Sequence, residues 1–279
     1  MRIQTLENTD ISVILEAFNL SFSDYLVPLS NTKEQFEHKI IAENIQLTMS
    51  AGAFEGNSLV GFILHGCSES PGDKVIYNAG TGVIPTRRGS KITRQLYDFL
   101  LPLFYANDIS RIQLEVITEN HKALAIYKDI GFGVRRTLQC FKGVISITLP
   151  GAVEIRVLSS LDWPLLQSFW DFAPAWANSP MAIENCNTSI ISIGAYKDTN
   201  LIGYVLFNPL TSRILQFAVT SACRRNDVGT ALFNYIRLTY GAAISIINVD
   251  KNSSSTLSFL DAMGLVCYVE QYEISILQI

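Results

Sequence analysis

What this 279-residue chain lacks narrows its class. It has no basic excess: Lys and Arg total 21 against 25 Asp and Glu, a net charge of -4, without the electrostatic footprint of a nucleic-acid binder. Charged residues are scarce, at 16% against 48% hydrophobic, which excludes a disordered chain, a coiled coil and a collagen-like fibre. No apolar run approaches the ~20 residues that cross a bilayer; Leu59–Leu64 is typical of the longest. The opening MRIQTLENTD has no apolar core of a secretory signal. Five cysteines (Cys67, Cys140, Cys186, Cys223, Cys267) are odd in number and form no CxxC pair, which points to free thiols in a reducing compartment. His38, His65 and His121 are dispersed without metal-ligand spacing. The expectation is a cytoplasmic protein with no membrane span, no nucleic-acid partner and no metal.

What is present is an internal repeat. Residues 50–64 read SAGAFEGNSLVGFIL and residues 192–206 read SIGAYKDTNLIGYVL, with six of fifteen positions identical. Both alternate small and apolar residues across a polar turn, as a β-hairpin does. VIPTRRGSKITRQL (Val83–Leu96) then parallels VTSACRRNDVGTAL (Val219–Leu232), and Gly131-Phe132 parallels Gly264-Leu265. The polar stretch Gly66–Lys74, read as a loop, accounts for the longer first copy. Three blocks in one order predict two homologous domains, 1–149 and 150–279, joined near Pro150-Gly151.

Each copy reads as β-α-(α)-β-β-β-α-β-α-β-β. In the first, Thr9 or Asp10 caps a helix through Phe18, and Thr32-Lys33-Glu34-Gln35 is a capping box. Strands are predicted at Ser50–Phe54, Leu59–His65, Val75–Ile84, Ile112–Ile117, Val134–Phe141 and Val144–Leu149. Ile92, Leu96, Leu100 and Leu103 recur at helical spacing, with Pro102 bending or ending their helix. The class is α/β or α+β.

Two segments carry chemistry. In Val83–Thr93, between a strand and a helix start, Arg87, Arg88, Lys91 and Arg94 surround amides that have no intrahelical partner. That is a pyrophosphate cradle or, on a blander reading, a solvated basic first turn. In Leu114–Phe132, Asn120 stands where it caps a helix, and Tyr127 lies two turns further on. Together they resemble the GNAT acyl-CoA N-acyltransferase superfamily. Its signature V-x-P-x-x-R-G-x-G-x-G/A is matched at Val83, Pro85, Arg88 and Gly89, with Lys91 replacing a glycine and Thr93 the last small residue. L-x-V-x3-N-x2-A-x3-Y-x3-G-F is matched at Leu114, Val116, Asn120, Ala123, Tyr127, Gly131 and Phe132. The resemblance covers both halves, the second more weakly.

That resemblance implies two tandem GNAT-like domains. Each would be a twisted, mostly antiparallel sheet flanked by helices, with a splayed central strand pair that admits a pantetheine arm. It implies acetyl-CoA as co-substrate, held by Val83, Arg88, Gly89, Ser90, Lys91, Ile92, Thr93 and Asn120. It gives Tyr127 the role of general acid towards the leaving thiolate. Glu115, before Val116 on the strand, is the candidate base, with a surface strand carboxylate as the plainer reading. The acceptor would be a small-molecule or peptide amine, and the chain a monomer with an internal pseudo-dimer, or a homodimer. The competing function is a CoA-binding regulatory or scaffold protein without turnover.

The second copy reads as catalytically silent, because Leu260 replaces Tyr127, Asn248 replaces Glu115 and Asp227 replaces Lys91. Two further features take packing roles at this level: Trp163 and Trp170 as one helix face, and Cys140 as a buried thiol. In the fold that the resemblance implies, Phe18, Phe22, Asp24 and Tyr25 form one wall of the acceptor site, where Asp24 with an aromatic holds a cationic amine; equally, they form a packed helix–loop corner.

Overall fold

The computed structural model describes residues 1–25, 29–70, 72–146 and 153–277. The chain forms two compact units, Met1–Arg135 with Glu273–Ile279, and Arg136–Tyr272. The first contains β1 (Arg2–Thr5), α1 (Ile11–Ser21), α2 (Lys33–Ala42), β2 (Ala51–Glu55), β3 (Ser58–Ser70), β4 (Asp73–Val83), α3 (Ile92–Ala106), β5 (Arg111–Ile117) and α4 (His121–Ile130). Its strands lie in the order β1-β2-β3-β4-β5, antiparallel except for the parallel pair β4–β5.

The next strand, β6 (Gly133–Val144), lies almost wholly in the second unit. There follow β7 (Glu154–Val157), α5 (Trp163–Gln167), α6 (Pro180–Asn185), β8 (Ile191–Lys197), β9 (Asn200–Asn208), β10 (Arg213–Val219), α7 (Val228–Tyr240), β11 (Ala243–Asp250), α8 (Ser254–Ala262) and β12 (Leu265–Leu277). The order is β7-β8-β9-β10-β11-β6, again with one parallel pair, β10–β11. The compact units therefore differ from a cut between 149 and 150. Ladder pairing assigns β6 from Arg136 onward to the second unit, and the chain end from Glu273 counts with the first. The expected join at Pro150-Gly151 lies outside the described residues, as do 147–149 of the strand expected at Val144–Leu149; Val144 closes β6.

Local chemistry explains the helix starts. Asp10 accepts the Ser12 amide at 2.7 Å, and Thr32 with Gln35 forms the full capping box. Helix α3 buries Ile92, Leu96, Leu100 and Phe104 on one stripe and continues through Pro102 to Ala106. The expected polar loop Gly66–Lys74 is mostly ladder: β3 and β4 pair out to Ser70 and Asp73, so the first copy is longer because its hairpin is longer.

The repeat is also one of packing. A Cβ on Gly52 would meet Leu59 at 2.6 Å and Leu6 at 2.7 Å, and a Cβ on Gly194 would meet Leu201 and Leu158 at the same two distances. Gly61 lies under Ile92 of α3, and Gly203 under Val228 of α7, so in both units a helix start closes on a bare strand position. The first core stacks Phe18 on Phe62 and tilts it against Phe36. The second joins Phe217, Phe233 and Phe259.

Two measurements check this packing. The Ile92 methyl would stand 2.6 Å from a Gly61 Cβ, but the Val228 methyl 3.0 Å from a Gly203 Cβ. Gly61→Ala should cost about 1–3 kcal/mol in denaturant titration, and Gly203→Ala distinctly less. His65 is fully buried, its Nδ1 donating to the Met49 carbonyl at 2.9 Å, and burial pushes its pKa down from 6.5 to about 3. Between those values the unfolded chain binds a proton that the folded one refuses. Stability is then full above pH 6.5 and lost as pH falls towards 3, by at most about 1.4 kcal/mol per pH unit. His65→Leu should flatten that slope in melts run across the window.

Candidate functional site

The site in the first unit begins where β4 and β5 part. Their ladder pairs Val75 with Arg111, Ile76 with Ile112 and Tyr77 with Gln113; β4 then runs on to Val83 and β5 to Ile117 without a further pair among the described registers. A bulge lies at this point, because His65 pairs Asn78 while Leu64 pairs Gly80, leaving Ala79 extra. The Asn78 amide donates to Thr81 Oγ1 at 2.7 Å and to the Tyr97 hydroxyl of α3 at 2.8 Å, and its Oδ1 accepts from Gly80 N at 3.0 Å.

Tyr127 comes to this gap from α4. It is 7% exposed, its ring packs against Tyr97 and Phe132, and its hydroxyl is within reach of Thr81 and Asn78. Burial pushes the phenol up to about 12, so it remains protonated. Asn120 caps α4 by accepting the Ala123 amide at 3.2 Å, and its own amide reaches the Tyr25 hydroxyl at 3.4 Å. Tyr25 also lies close enough to act on the Tyr127 phenol. Asn120, Tyr127 and Tyr25 therefore meet at one place.

Glu115 sits on the other face. Strand alternation sends Tyr77 opposite to Asn78, and the Tyr77 hydroxyl donates to Glu115 Oε2 at 2.5 Å. Burial first, and then the Glu115 charge, raise the Tyr77 phenol well above its ordinary 10, so it acts as a neutral donor. Glu43, at the end of α2, adds negative potential from the same side.

The helix-start turn takes a sharper form than the sequence suggests. Pro85–Arg87 makes a single 3-10 turn, Gly89 and Lys91 are left-handed at φ 81° and 56°, and α3 starts at Ile92, which is buried. Ser90 and Lys91 are exposed and Thr93 is half-buried. Three of the four cations are already committed: Arg87 to Glu55, Arg94 to Asp98, and Arg88 to Asp24. Arg88 donates to both Asp24 oxygens at 2.7 Å, to Ser21 O at 2.9 Å and to Val83 O at 3.3 Å. It pins the end of α1 to the end of β4, and its guanidinium holds the Asp24 carboxyl below the usual range. Asp24 is thus the partner of Arg88 and part of the packed helix–loop corner. Among the described residues Lys91 is paired with no carboxylate and makes no side-chain cap, so its charge and the first-turn N–H groups face outward.

The second unit repeats this frame with different chemistry. Arg224 is bonded to Asp171, Phe169 O and Val219 O, as Arg88 is to Asp24, Ser21 O and Val83 O. Arg225 and Asp227 are left-handed at φ 60° and 58°, and Leu260 is fully buried in the place of Tyr127. Trp163 lies in α5, but Trp170 lies beyond it and faces a cavity, because α5 is a short helix that ends at Gln167. Cys140 is buried, as expected, beside Asn248. Tyr77, Asn78 and Thr81 escaped the sequence reading. Tyr77 was the nearest to discovery, yet its pairing with Glu115 depends on a parallel register that no motif encodes.

Residues 14–132 match the family model described as Acetyltransferase (GNAT) family. No curated protein matches the chain in sequence. In structure it resembles a tandem GNAT protein from the clavulanic acid biosynthesis pathway, at 14% identity and TM-score 0.71 over 99% of this chain and 98% of that one. It also resembles a GCN5-related N-acetyltransferase from Sphaerobacter thermophilus, at 10% identity and TM-score 0.70 over 99% and 95%. A third likeness is to a glucosamine N-acetyltransferase region of a fungal multi-domain β-N-acetylglucosaminidase, at 14% identity and TM-score 0.73 over 99% and 38%. These likenesses establish the fold.

A left-handed lysine costs about 1–2 kcal/mol relative to glycine, partly offset by the greater freedom of unfolded glycine. Lys91→Gly should therefore raise stability by up to about 1 kcal/mol, roughly 2–4 °C in Tm, while weakening anion binding at the turn. Thermal melts and an inorganic pyrophosphate titration read the two effects separately.

Proposed function

Since residues 14–132 match the GNAT acetyltransferase family model and the chain shares the fold of a tandem GNAT protein, we propose that its first unit is an acetyl-CoA-dependent N-acetyltransferase in which an amine attacks the thioester directly. The observation that carries this reading is the buried Tyr127 phenol brought to Thr81 and Asn78 just beyond the last β4–β5 pair. The parted strands expose backbone amides suited to a pantetheine arm and to an oxyanion. Gly89, Ser90 and the N–H groups of Ile92 and Thr93 would receive the diphosphate, with Lys91 adding charge and Val83 ending the strand beside it. Arg88 shapes this turn by clamping it to α1.

As nitrogen bonds to the carbonyl carbon and the C–S bond breaks, negative charge grows on sulfur. Tyr127 donates to that sulfur. At about 12 the phenol is a weaker acid than a free thiol, near 8.5, so it acts first as a hydrogen-bond donor and as proton source only as the thiol departs. Glu115, held by Tyr77, takes the proton released by the attacking amine, directly or through water. Its face, with Glu43 nearby, suits a cationic acceptor. The second unit, with Leu260 at the acid position, performs no transfer.

Thiol release from acetyl-CoA across a broad amine library tests the activity; saturable binding without amine-dependent release would favour the regulatory reading. With an acceptor in hand, Tyr127→Phe should lower kcat about 100-fold or more with little change in KM for acetyl-CoA. Because the phenol is protonated below about 12, the wild type should show no alkaline loss from it up to pH 10 or so. Glu115→Gln should depress the rate most at low pH, where free amine is scarcest. Equal turnover by Tyr127→Phe at all pH values would remove Tyr127 from the mechanism.

A further inference from the structure

A row of side chains crosses the sheet of the second unit on the face turned away from α7 and α8. Ile214, Ile244, Phe141 and Leu265 share one core with those helices, so strand alternation sends Arg213, Ser245, Lys142 and Val266 to the other face. Pairing lines them up: Arg213 of β10 lies beside Ser245 of β11, and Ser245 beside Lys142 of β6. The Lys142 ammonium in turn stands 4.8 Å from the centre of the Tyr268 ring on β12. Across two strand spacings the Arg213 and Lys142 Cα atoms are about 10 Å apart, and the short Ser245 side chain leaves a slot between two long cations. Arg213 opens β10 at the paired end of the β10–β11 ladder, so the row is separate from the place where those strands part.

Both cations lack a counter-charge. Arg213 makes no ion pair among the described residues, and its Nε is buried with no hydrogen-bond partner. A buried guanidinium nitrogen without an acceptor is costly, and an acceptor supplied from outside relieves that cost. Lys142 is exposed and, among the described residues, has the Tyr268 ring beside it but no carboxylate. Strands β6, β10, β11 and β12 as far as Tyr272 carry only two carboxylates, Asp250 and Glu270. Arg136 holds the first at 3.4 Å and Lys251 the second at 2.9 Å. Burial raises the Tyr268 phenol above its ordinary 10, and the Arg213 charge works against that rise, so its field extends along the row.

Beside the cations lies an apolar ledge. Val144, 60% exposed, follows Lys142 by two residues, and Val266, 62% exposed, precedes Tyr268 by two. Ala243, paired with Val144, is exposed as well. Alternation keeps all three on the face of the row. The free donors here are side chains, since the Ser245 amide is already bonded to Ser212 O at 3.0 Å. The row contains no helix start or amide nest of the kind that receives phosphate. A planar guanidinium fork beside a second cation matches a carboxylate in shape and charge.

We propose that this row binds the carboxylate of a molecule with an aliphatic body. Arg213 donates to the carboxylate, Lys142 adds the second charge, and Val144, Val266 and Ala243 take the body. A free branched-chain acid and the C-terminus of an apolar peptide share that chemistry. The site binds without transferring a group, and it stands independently of whether the first unit acetylates an amine.

The full chain is titrated calorimetrically at neutral pH with 4-methylpentanoate and with N-acetyl-leucyl-leucine, then with the primary amide of each, with acetate and with inorganic phosphate. At least one of the two acids should bind saturably, and the tighter one names the source. Its amide should bind about tenfold or more weaker, because the charge is gone, and only the acid should lose affinity as salt rises. Acetate, which leaves the ledge bare, and phosphate should each bind about tenfold or more weaker as well. Arg213→Gln, its fold checked by circular dichroism, should weaken the better acid about tenfold or more, and Lys142→Gln about threefold or more. If Arg213→Gln does not fold, the exposed Lys142→Gln decides. The proposal fails if neither acid binds, or if the amide, acetate or phosphate falls short of its stated weakening. It also fails if either folded variant falls short of its stated loss.

Discussion

The structure depends on one local failure of pairing. In each unit a single parallel ladder holds for two or three residue pairs and then stops, at Tyr77–Gln113 in the first and Ile214–Ile246 in the second. A bulge accompanies each stop, at Ala79 and at Leu215, and a bulge bends its strand and increases the local twist. The gap would be costly if its backbone groups were buried and dry. Side chains bear part of that burden: Asn78 ties Thr81, Tyr97 and Gly80 together on one side of the first gap. In the second unit Gln216 does comparable work through Tyr204 and Asn178. The same opening therefore presents a phenol from α4 in one unit and an amide-lined, aromatic-walled cavity in the other.

The turn that follows each open strand is built the same way twice. Two left-handed residues, Gly89 and Lys91 or Arg225 and Asp227, bring the chain from strand to helix. An arginine then fixes the turn to the preceding helical segment, Arg88 through Asp24 and Arg224 through Asp171. Much of the positive charge in this segment is thus architectural. Because these pairs are half-exposed, their value lies in geometry more than in energy. The two turns differ electrostatically at three positions, Arg87 against Cys223, Gly89 against Arg225, and the helix-start residue itself, Lys91 against Asp227.

The sequence by itself determined a good deal. The repeat was legible because identical glycines mark places where a helix start or a leucine closes on a strand, and no larger residue fits there. The capping residues Asp10, Thr32 and Asn120 were legible because capping needs only local spacing. That Tyr127 stands on the helix after β5 followed from motif order, since spacing along the chain fixes which strand precedes which helix; that it meets the opening beyond Tyr77 was only implied by the family resemblance.

Other features waited on tertiary structure. That Arg88 holds Asp24, that Tyr77 holds Glu115, and that Trp170 leaves its helix to line a cavity depend on contacts between segments tens of residues apart. The division of strands between the units was equally hidden, because β6 and the end of β12 are placed by which ladder accepts them. Periodicity tells a strand which face to bury, whereas its neighbour is chosen only when whole sheets assemble. Local spacing is written in the chain, but register and long-range pairing exist only once the fold has closed.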